Sequence, residues 1–408
     1  MTGTERICVQ CGRAIPWGQA DCPVCKEKES FLWTLRRETL LAFILVCLIA
    51  LFVITGLAAK AYHSREKALA TEWYNRGEAD LKAGDPASAL EDFRSALVYS
   101  RDNSLYRFRL AQALIAAQRF SEARTHLLTL WEREPGSGRL NLELARLAVK
   151  ESNEPEALRY YHQAIYGVWE SEPEKRRREA RLEMCEFLLN RGAKAQAQAE
   201  LMALADELPS DPALHTQVAG LFVKAGDYDH ALRQFQAALQ LNRRDQAALA
   251  GAGEAAFQLE EYQKAQQYLD RAVRLNPGDI QSAQLLETSN FVLSIDPFER
   301  GLSQQEREHR VLRFFDLVFR RVRECSRKRG VDLENPKTET DLKALYDRLQ
   351  ELRPKLTSRF LRHHPDQVEP VMDVVFAIED QTARECGIAA GPDKALWLVA
   401  RKRKPKEQ

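Results

Sequence analysis

The chain has 408 residues, 45% hydrophobic and 29% charged, a balance that excludes wholesale disorder and suits roughly two to four folded units. Its formal net charge of +1 conceals a pattern: Lys and Arg against Asp and Glu number 9 to 6 over residues 1–67, 27 to 34 over 68–298 and 24 to 19 over 299–408. The acidic middle lacks the clustered positive charge that phosphate binding needs, which argues against a nucleic-acid partner for the long central region.

Four of the eight cysteines fall in the first 25 residues, as Cys8-Val9-Gln10-Cys11 and Cys22-Pro23-Val24-Cys25, with ten residues between the pairs. A Cys-x-x-Cys pair forms a knuckle that points two sulfurs at one ion, and two knuckles complete a tetrahedral tetrathiolate shell suited to Zn2+. With four thiolates no coordination position stays open, so the metal is structural. Two disulfides or a thiol redox pair are the alternatives, and Cys47, Cys185, Cys325 and Cys386 are scattered outside any framework. Through Cys-x-x-Cys-Gly, Ile15-Pro16 and Cys-Pro-x-Cys, residues 7–27 resemble the short zinc ribbons at the front of many bacterial membrane proteins. Lys26 stands where that pattern usually has a second glycine, and the short spacer implies rudimentary strands. The ribbon is expected over residues 1–30.

From Thr39 to Ala59 the sequence has no charged residue over 21 positions, enough helix to span roughly 30 Å of hydrocarbon. A single transmembrane helix over 39–60 is the expectation, with Arg36, Arg37 and Lys60 bracketing it and Trp33 and Tyr62 at the interfaces. Ala59-Lys60-Ala61 could pass for a signal-peptide cleavage site, but the apolar run is long and the 38 residues before it exceed a signal peptide's leading region. Six Lys and Arg precede the helix (Arg6, Arg13, Lys26, Lys28, Arg36, Arg37) and four follow closely (Lys60, Arg65, Lys67, Arg76). The expected location is therefore the inner (cytoplasmic) membrane of a bacterium, amino-terminus cytoplasmic and carboxy-terminal body outside.

After a linker expected at Tyr62–Lys67, alanine recurs at Ala89, Ala123, Ala157, Ala197, Ala231 and Ala265, at intervals of 34 residues with one step of 40 explained by an insertion at Glu172–Arg177. Four residues after each stands Phe93, Leu127, Tyr161, Leu201, Phe235 or Leu269; twelve before stands Gly77, Ala111, Ala145, Cys185, Ala219 or Gly253. Small residues let antiparallel helices approach closely, and the large one fills the groove beside them. Gly84-Asp85, Gly192 and Gly226-Asp227 separate the helices of a unit. At the small-residue position Cys185 reads as a packed thiol.

This 34-residue helix-turn-helix resembles the tetratricopeptide repeat. The expected units are 70–103, 104–137, 138–171, 178–211, 212–245 and 246–279, with Ile280–Leu293 as a capping helix, so that the array runs over 70–293. The resemblance implies an all-α fold, a right-handed superhelix (α-solenoid) whose concave groove receives a peptide or partner helix. Groove-facing candidates are Tyr74, Glu78, Phe108, Gln112, Ile115, Leu142, Thr216, Val223, Glu254 and Phe257. Some members clamp a carboxylate with lysine and asparagine on the first two units; Tyr74, Glu78, Phe108 and Gln112 hold candidate positions for it here, so no such clamp is expected.

Past Pro297 the register stops, and helices are expected over Ser303–Arg329, Asp341–Leu352, Leu356–Arg362 and Val368–Glu385. They form a helical region over 299–400, followed by a charged tail over 401–408. The basic run Arg320, Arg321, Arg323, Arg327, Lys328 and Arg329 reads as a solvated helix end. His364-Pro365-Asp366 is similar to the signature loop of J-domain cochaperones, although Pro354 and Lys355 interrupt the helix that family has ahead of it. There is no phosphate-cradling glycine loop and no nucleophile elbow, so neither catalysis nor a small-molecule substrate is implied. The expected function is a membrane-anchored scaffold holding a partner protein or peptide in its repeat groove. Alternatives are a ribbon-mediated membrane signalling or nucleic-acid-linked regulator, and a cochaperone acting through His364-Pro365-Asp366.

Overall fold

The computed structural model describes residues 6–335, 337, 339–388 and 394–403, with the side chains of 27–36, 38 and 403 outside that description. The side chains of Trp33 and Arg36 and the last five residues of the expected tail therefore lie outside the described residues. The described residues are helical apart from turns, loops and one isolated antiparallel bridge, Ile7 to Ala14. They form two compact units, Met1–Tyr160 and Tyr161–Gln408.

In the first unit, α1 runs from Pro23 to Ala83 without interruption. It contains the apolar stretch, whose residues from Thr39 on are all solvent-facing, and it is long and apolar enough to cross a membrane. The linker expected at Tyr62–Lys67 is helix instead, because no Gly or Pro occurs between Gly56 and Gly77 to break the ladder there. The final turns of α1 pair with α2 (Pro86–Tyr99), and α3 (Ser104–Ala116) pairs with α4 (Phe120–Trp131). Then come α5 (Gly138–Lys150) and α6 (Glu154–Ile165), within which the first unit ends.

The second unit continues with α7 (Pro173–Asn190), α8 (Lys194–Ala205), α9 (Pro212–Ala225), α10 (Tyr228–Leu241), α11 (Gln246–Gln258), α12 (Tyr262–Leu275) and α13 (Ile280–Ile295). The insertion makes no loop of its own. Pro173, whose missing N–H costs nothing at a helix start, opens α7, which runs 18 residues where α9 has 14.

The recurring alanines are all fully buried, and the large residues that follow them are at most 4% exposed. The small residues are small for a measurable reason. A Cβ on Gly77 would stand 2.9 Å from the Phe93 ring, and one on Gly253 would stand 2.5 Å from Leu269 Cγ. Each buried Phe or Leu contributes on the order of 1.5–3 kcal/mol to the cohesion of its helix pair. Aspartates cap the following helices: Asp85, Asp227, Asp245 and Asp279 each accept a backbone N–H three residues on.

The turn within each helix pair uses one left-handed residue, at Gly84, Gln118, Ser152, Gly192, Gly226 and Glu260, the same spacing again. Three of these six are not glycine and carry the steric cost of that conformation.

The carboxy-terminal helices share the hydrophobic core of the second unit's repeats. They are α14 (Gln304–Arg329), α15 (Asp341–Leu352), α16 (Ser358–His363), α17 (Val368–Cys386) and α18 (Lys394–Arg403). Helix α14 packs along α17, and α18 lies against α13 and α17. Arg310 of α14 donates to the carbonyls of Leu293 and Asp296. Arg401 and Lys402, expected in a charged tail, instead belong to α18 and pair with Glu260 at 2.8 Å and Asp296 at 3.0 Å. Cys325 and Cys386, at the ends of α14 and α17, are disulfide-bonded with a Cα separation of 5.8 Å.

Candidate metal centre and repeat surfaces

The first knuckle is built by backbone hydrogen bonds. Cys8 N donates to Arg13 O and Gly12 N to Cys8 O, with Gly12 at φ 69° supplying the left-handed turn. The second knuckle sits on a helix start: Cys22 is the N-cap of α1 and Cys25 lies in its first turn. All four sulfurs lie within 4.8 Å of one another, with Cys8 to Cys25 at 3.8 Å and Cys11 to Cys22 at 3.6 Å. A tetrahedral ion with metal–sulfur bonds of 2.3 Å requires sulfurs about 3.8 Å apart, so these residues fit one metal ion. The electrostatics agree. Backbone N–H groups of Cys11 and Gln10 hold Cys8 down at about 7, whereas hydrogen bonding with Cys11, then desolvation, pushes Cys25 up to about 12. Four adjacent thiolates repel one another, and only a cation lets all four ionise.

The repeats' first helices present their own row of side chains. In the first unit it is closed by polar contacts: Arg109 pairs with Glu78 at 2.9 Å and donates to Gln112 at 2.8 Å. Gln112 in turn donates to Glu143 at 3.1 Å, and Arg146 pairs with the same carboxylate. Tyr74 stacks on Tyr106 at 4.9 Å, and Ile115 is half-buried. Phe108 and Leu142, expected to face a ligand, are only 4% and 7% exposed, and the Arg139 guanidinium covers the Phe108 ring at 4.6 Å. They pack between helices, because a large apolar residue gains more there than on an open face.

In the second unit Thr216 donates to Asp245, Val223 is half-buried against the core, and Glu254 is half-buried. Burial alone raises the Glu254 carboxyl above the usual range, as no charged group beside it contributes. Phe257, 5% exposed, is an interior residue whose edge lines a cavity of about 750 Å3 with Leu285, Thr288 and Phe291 of α13 and Lys394 of α18.

Residues 80–147 and 219–280 each match a tetratricopeptide repeat family model. These segments are tetratricopeptide repeats. No curated protein matches the chain. Among solved structures it is similar to PilF of Pseudomonas aeruginosa, at 16% identity over 54% of this chain and 97% of that one, with a TM-score of 0.39. It is also similar to the carboxy-terminal part of a repeat-containing protein from Cytophaga hutchinsonii, at 14% identity over 58% of this chain and 92% of that one, TM-score 0.43. PilW, a type IV pilus biogenesis factor, gives 17% identity, 53% and 98% coverage and a TM-score of 0.39.

On the tetratricopeptide register, the ten groove candidates divide into two interior residues, Phe108 and Leu142, one cavity-lining edge, Phe257, and seven half-buried positions. At the proposed clamp positions stand an aromatic stack and a Glu78–Arg109 ion pair, with no lysine offered to a carboxylate. His364-Pro365-Asp366 is an exposed turn between the six-residue α16 and α17. The disulfide escaped the sequence because 61 residues separate its cysteines and neither sits in a spacing motif. The one available signal, that both lie toward the carboxy-terminal end of a long helix, has no chemical meaning until α14 and α17 are paired.

Proposed function

We propose that this protein is a membrane-anchored interaction scaffold, holding a partner protein or peptide on the faces of its tetratricopeptide repeats, without catalysis. The observation that carries the reading is the division of labour along the register. The alanine and large-residue rows are sealed in the core, while Tyr74, Glu78, Gln112, Ile115, Thr216, Val223 and Glu254 recur at one helix face and stay part-open. Such a surface offers contacts at a fixed spacing, which suits an extended chain or a helix.

The amino-terminal cluster is a structural zinc ribbon with Cys8, Cys11, Cys22 and Cys25 as ligands, whose role is to hold the segment before the anchor folded. The apolar part of α1 is the single membrane pass, in the inner membrane, with the ribbon on the cytoplasmic side and the repeats outside. Two chemistries support this orientation. A tetrathiolate needs a reducing compartment, and the Cys325–Cys386 disulfide needs an oxidising one. A membrane between them reconciles the two, and the excess of Lys and Arg before the helix has the matching sign.

The test is crosslinking and capture of partners in cells by the full chain and by its Thr216→Arg, Val223→Arg variant, with the helical content of both measured alongside. Loss of specific partners with helical content unchanged is expected. Identical capture by both proteins removes the repeat face as the binding surface.

A further inference from the structure

The repeat register places one residue of each first helix in a single row, 34 residues apart: Gly220 on α9, Glu254 on α11 and Thr288 on α13. In the first unit the corresponding row, Glu78, Gln112 and Arg146, is tied into the Arg109 and Glu143 contacts, so each carboxylate there meets a guanidinium or carboxamide. Glu254 meets neither. Among the described residues it has no hydrogen bond and no ion pair, although it is half-buried and desolvation disfavours its charge. The reason is visible in the register. Gln112 is held by Arg109, three residues before it, and by Glu143, 31 residues after it, and the equivalent places around Glu254 are Gly251 and Leu285, neither of which can pair with a carboxylate. The preceding member of the row is Gly220, where a Cβ would find no atom within 4 Å.

The next member of the row, Thr288, lines the cavity of about 750 Å3, and so does Phe257, three residues from Glu254 on the same face of α11. The floor of that cavity is apolar, from Phe257, Leu285 and Phe291, and its volume is that of a site for a few side chains. Two charged residues line it, Glu287 and Lys394, which are opposite in sign and exposed to water. Glu254, one helical turn before Phe257 on α11 and outside the lining itself, is the nearby carboxylate that is desolvated.

We propose that this cavity binds a peptide segment in which a large apolar side chain lies beside a lysine or arginine, the apolar group on Phe257, Leu285 and Phe291 and the cation on Glu254. The assignment rests on the peptide-binding reading above and adds the chemistry of the ligand. A carboxylate in a part-buried site binds a cation with less competition from water than one on an open surface. Open space above Gly220 lets a peptide backbone approach α9 closely.

The experiment uses the full chain in lipid nanodiscs, selected against a phage-displayed library of random dodecapeptides, followed by affinity measurement of the recovered peptides by fluorescence anisotropy. Lysine or arginine adjacent to an aromatic or leucine is expected to be enriched, and replacing that basic residue by glutamine to weaken binding at least tenfold. With Glu254→Gln the same glutamine replacement is expected to change affinity less than twofold, while Gly220→Leu, filling the open space, weakens every peptide. Recovery of peptides without a basic preference, or an equal tenfold loss in Glu254→Gln, overturns the assignment and leaves the peptide-binding reading standing. Recovery of no peptide at all overturns both.

Discussion

The first helices of the two units carry the same register and bury it in the same way, yet their open faces are opposite in character. In the first unit Glu78, Arg109, Gln112, Glu143 and Arg146 are linked by ion pairs and hydrogen bonds across three helices. In the second, Gly220 and Glu254 take the places of Glu78 and Gln112, and among the described residues Glu254 has no ion pair or hydrogen bond. A repeat period therefore specifies which residues pack, while leaving the outward residues free to differ from one copy to the next. The two units also differ in closure. The second shares its core with five further helices and is stapled by Cys325–Cys386, with the Arg321–Glu379 ion pair at 2.8 Å joining the same two helices.

Removing that staple gives the largest expected effect. Cys325→Ser with Cys386→Ser should lower the stability of the second unit by about 2–5 kcal/mol and leave the first unit's unfolding unchanged, as read by hydrogen exchange in each. If both units lose protection together, the difference in closure is not real. Overfilling the packed row comes next: Gly253→Val, driven against Leu269, should cost about 1–3 kcal/mol by thermal unfolding. An effect near zero there sinks the close-approach explanation of the small residues. In the first unit, Arg109→Ala leaves Glu78 and Gln112 short of a partner and should cost about 1–2 kcal/mol, with Arg109→Ala, Glu78→Ala together costing less than the sum of the single changes. Additive losses would mean that the contacts on this face are independent.

A smaller change of opposite sign is expected at the left-handed turns, where Gln118→Gly should stabilise the first unit by about 1 kcal/mol in denaturant melts. Destabilisation instead would show that the Gln118 side chain does more there than tolerate strain. The smallest effect belongs to Glu254. Its folded carboxyl titrates above the unfolded one, so the folded state holds the proton more tightly and stability falls as pH rises through that interval. Glu254→Gln should accordingly raise the melting temperature at pH 7 and leave it unchanged at pH 3.5, below the ordinary carboxylate range. The same shift at both pH values would assign the gain to something other than ionisation.

How much of this was legible in the chain varies with the physics involved. The helix pairs could be read because helix packing writes a local rule, small here and large there, into every copy, and the insertion at Glu172–Arg177 shows as a step in that count. The four-sulfur cluster could be read for a similar reason: a knuckle is closed by bonds among near neighbours, Cys8 to Arg13 and Gly12 to Cys8. Phe108 and Leu142 were misplaced because the edge of an interface and its outer face differ by a fraction of a helical turn, and pattern alone does not resolve that.

Local periodicity and spacing by themselves determined the all-helical repeat architecture, the apolar length of α1 and the convergence of Cys8, Cys11, Cys22 and Cys25, since each depends on residues close in sequence. Only the tertiary structure decided the rest. It ran α1 unbroken into the first repeat, joined Cys325 to Cys386 across 61 residues, seated α18 on the repeats and half-buried Glu254 with no ion pair among the described residues. Those outcomes depend on which distant surfaces meet, and a contact between distant residues leaves no period in the sequence for a reader to find.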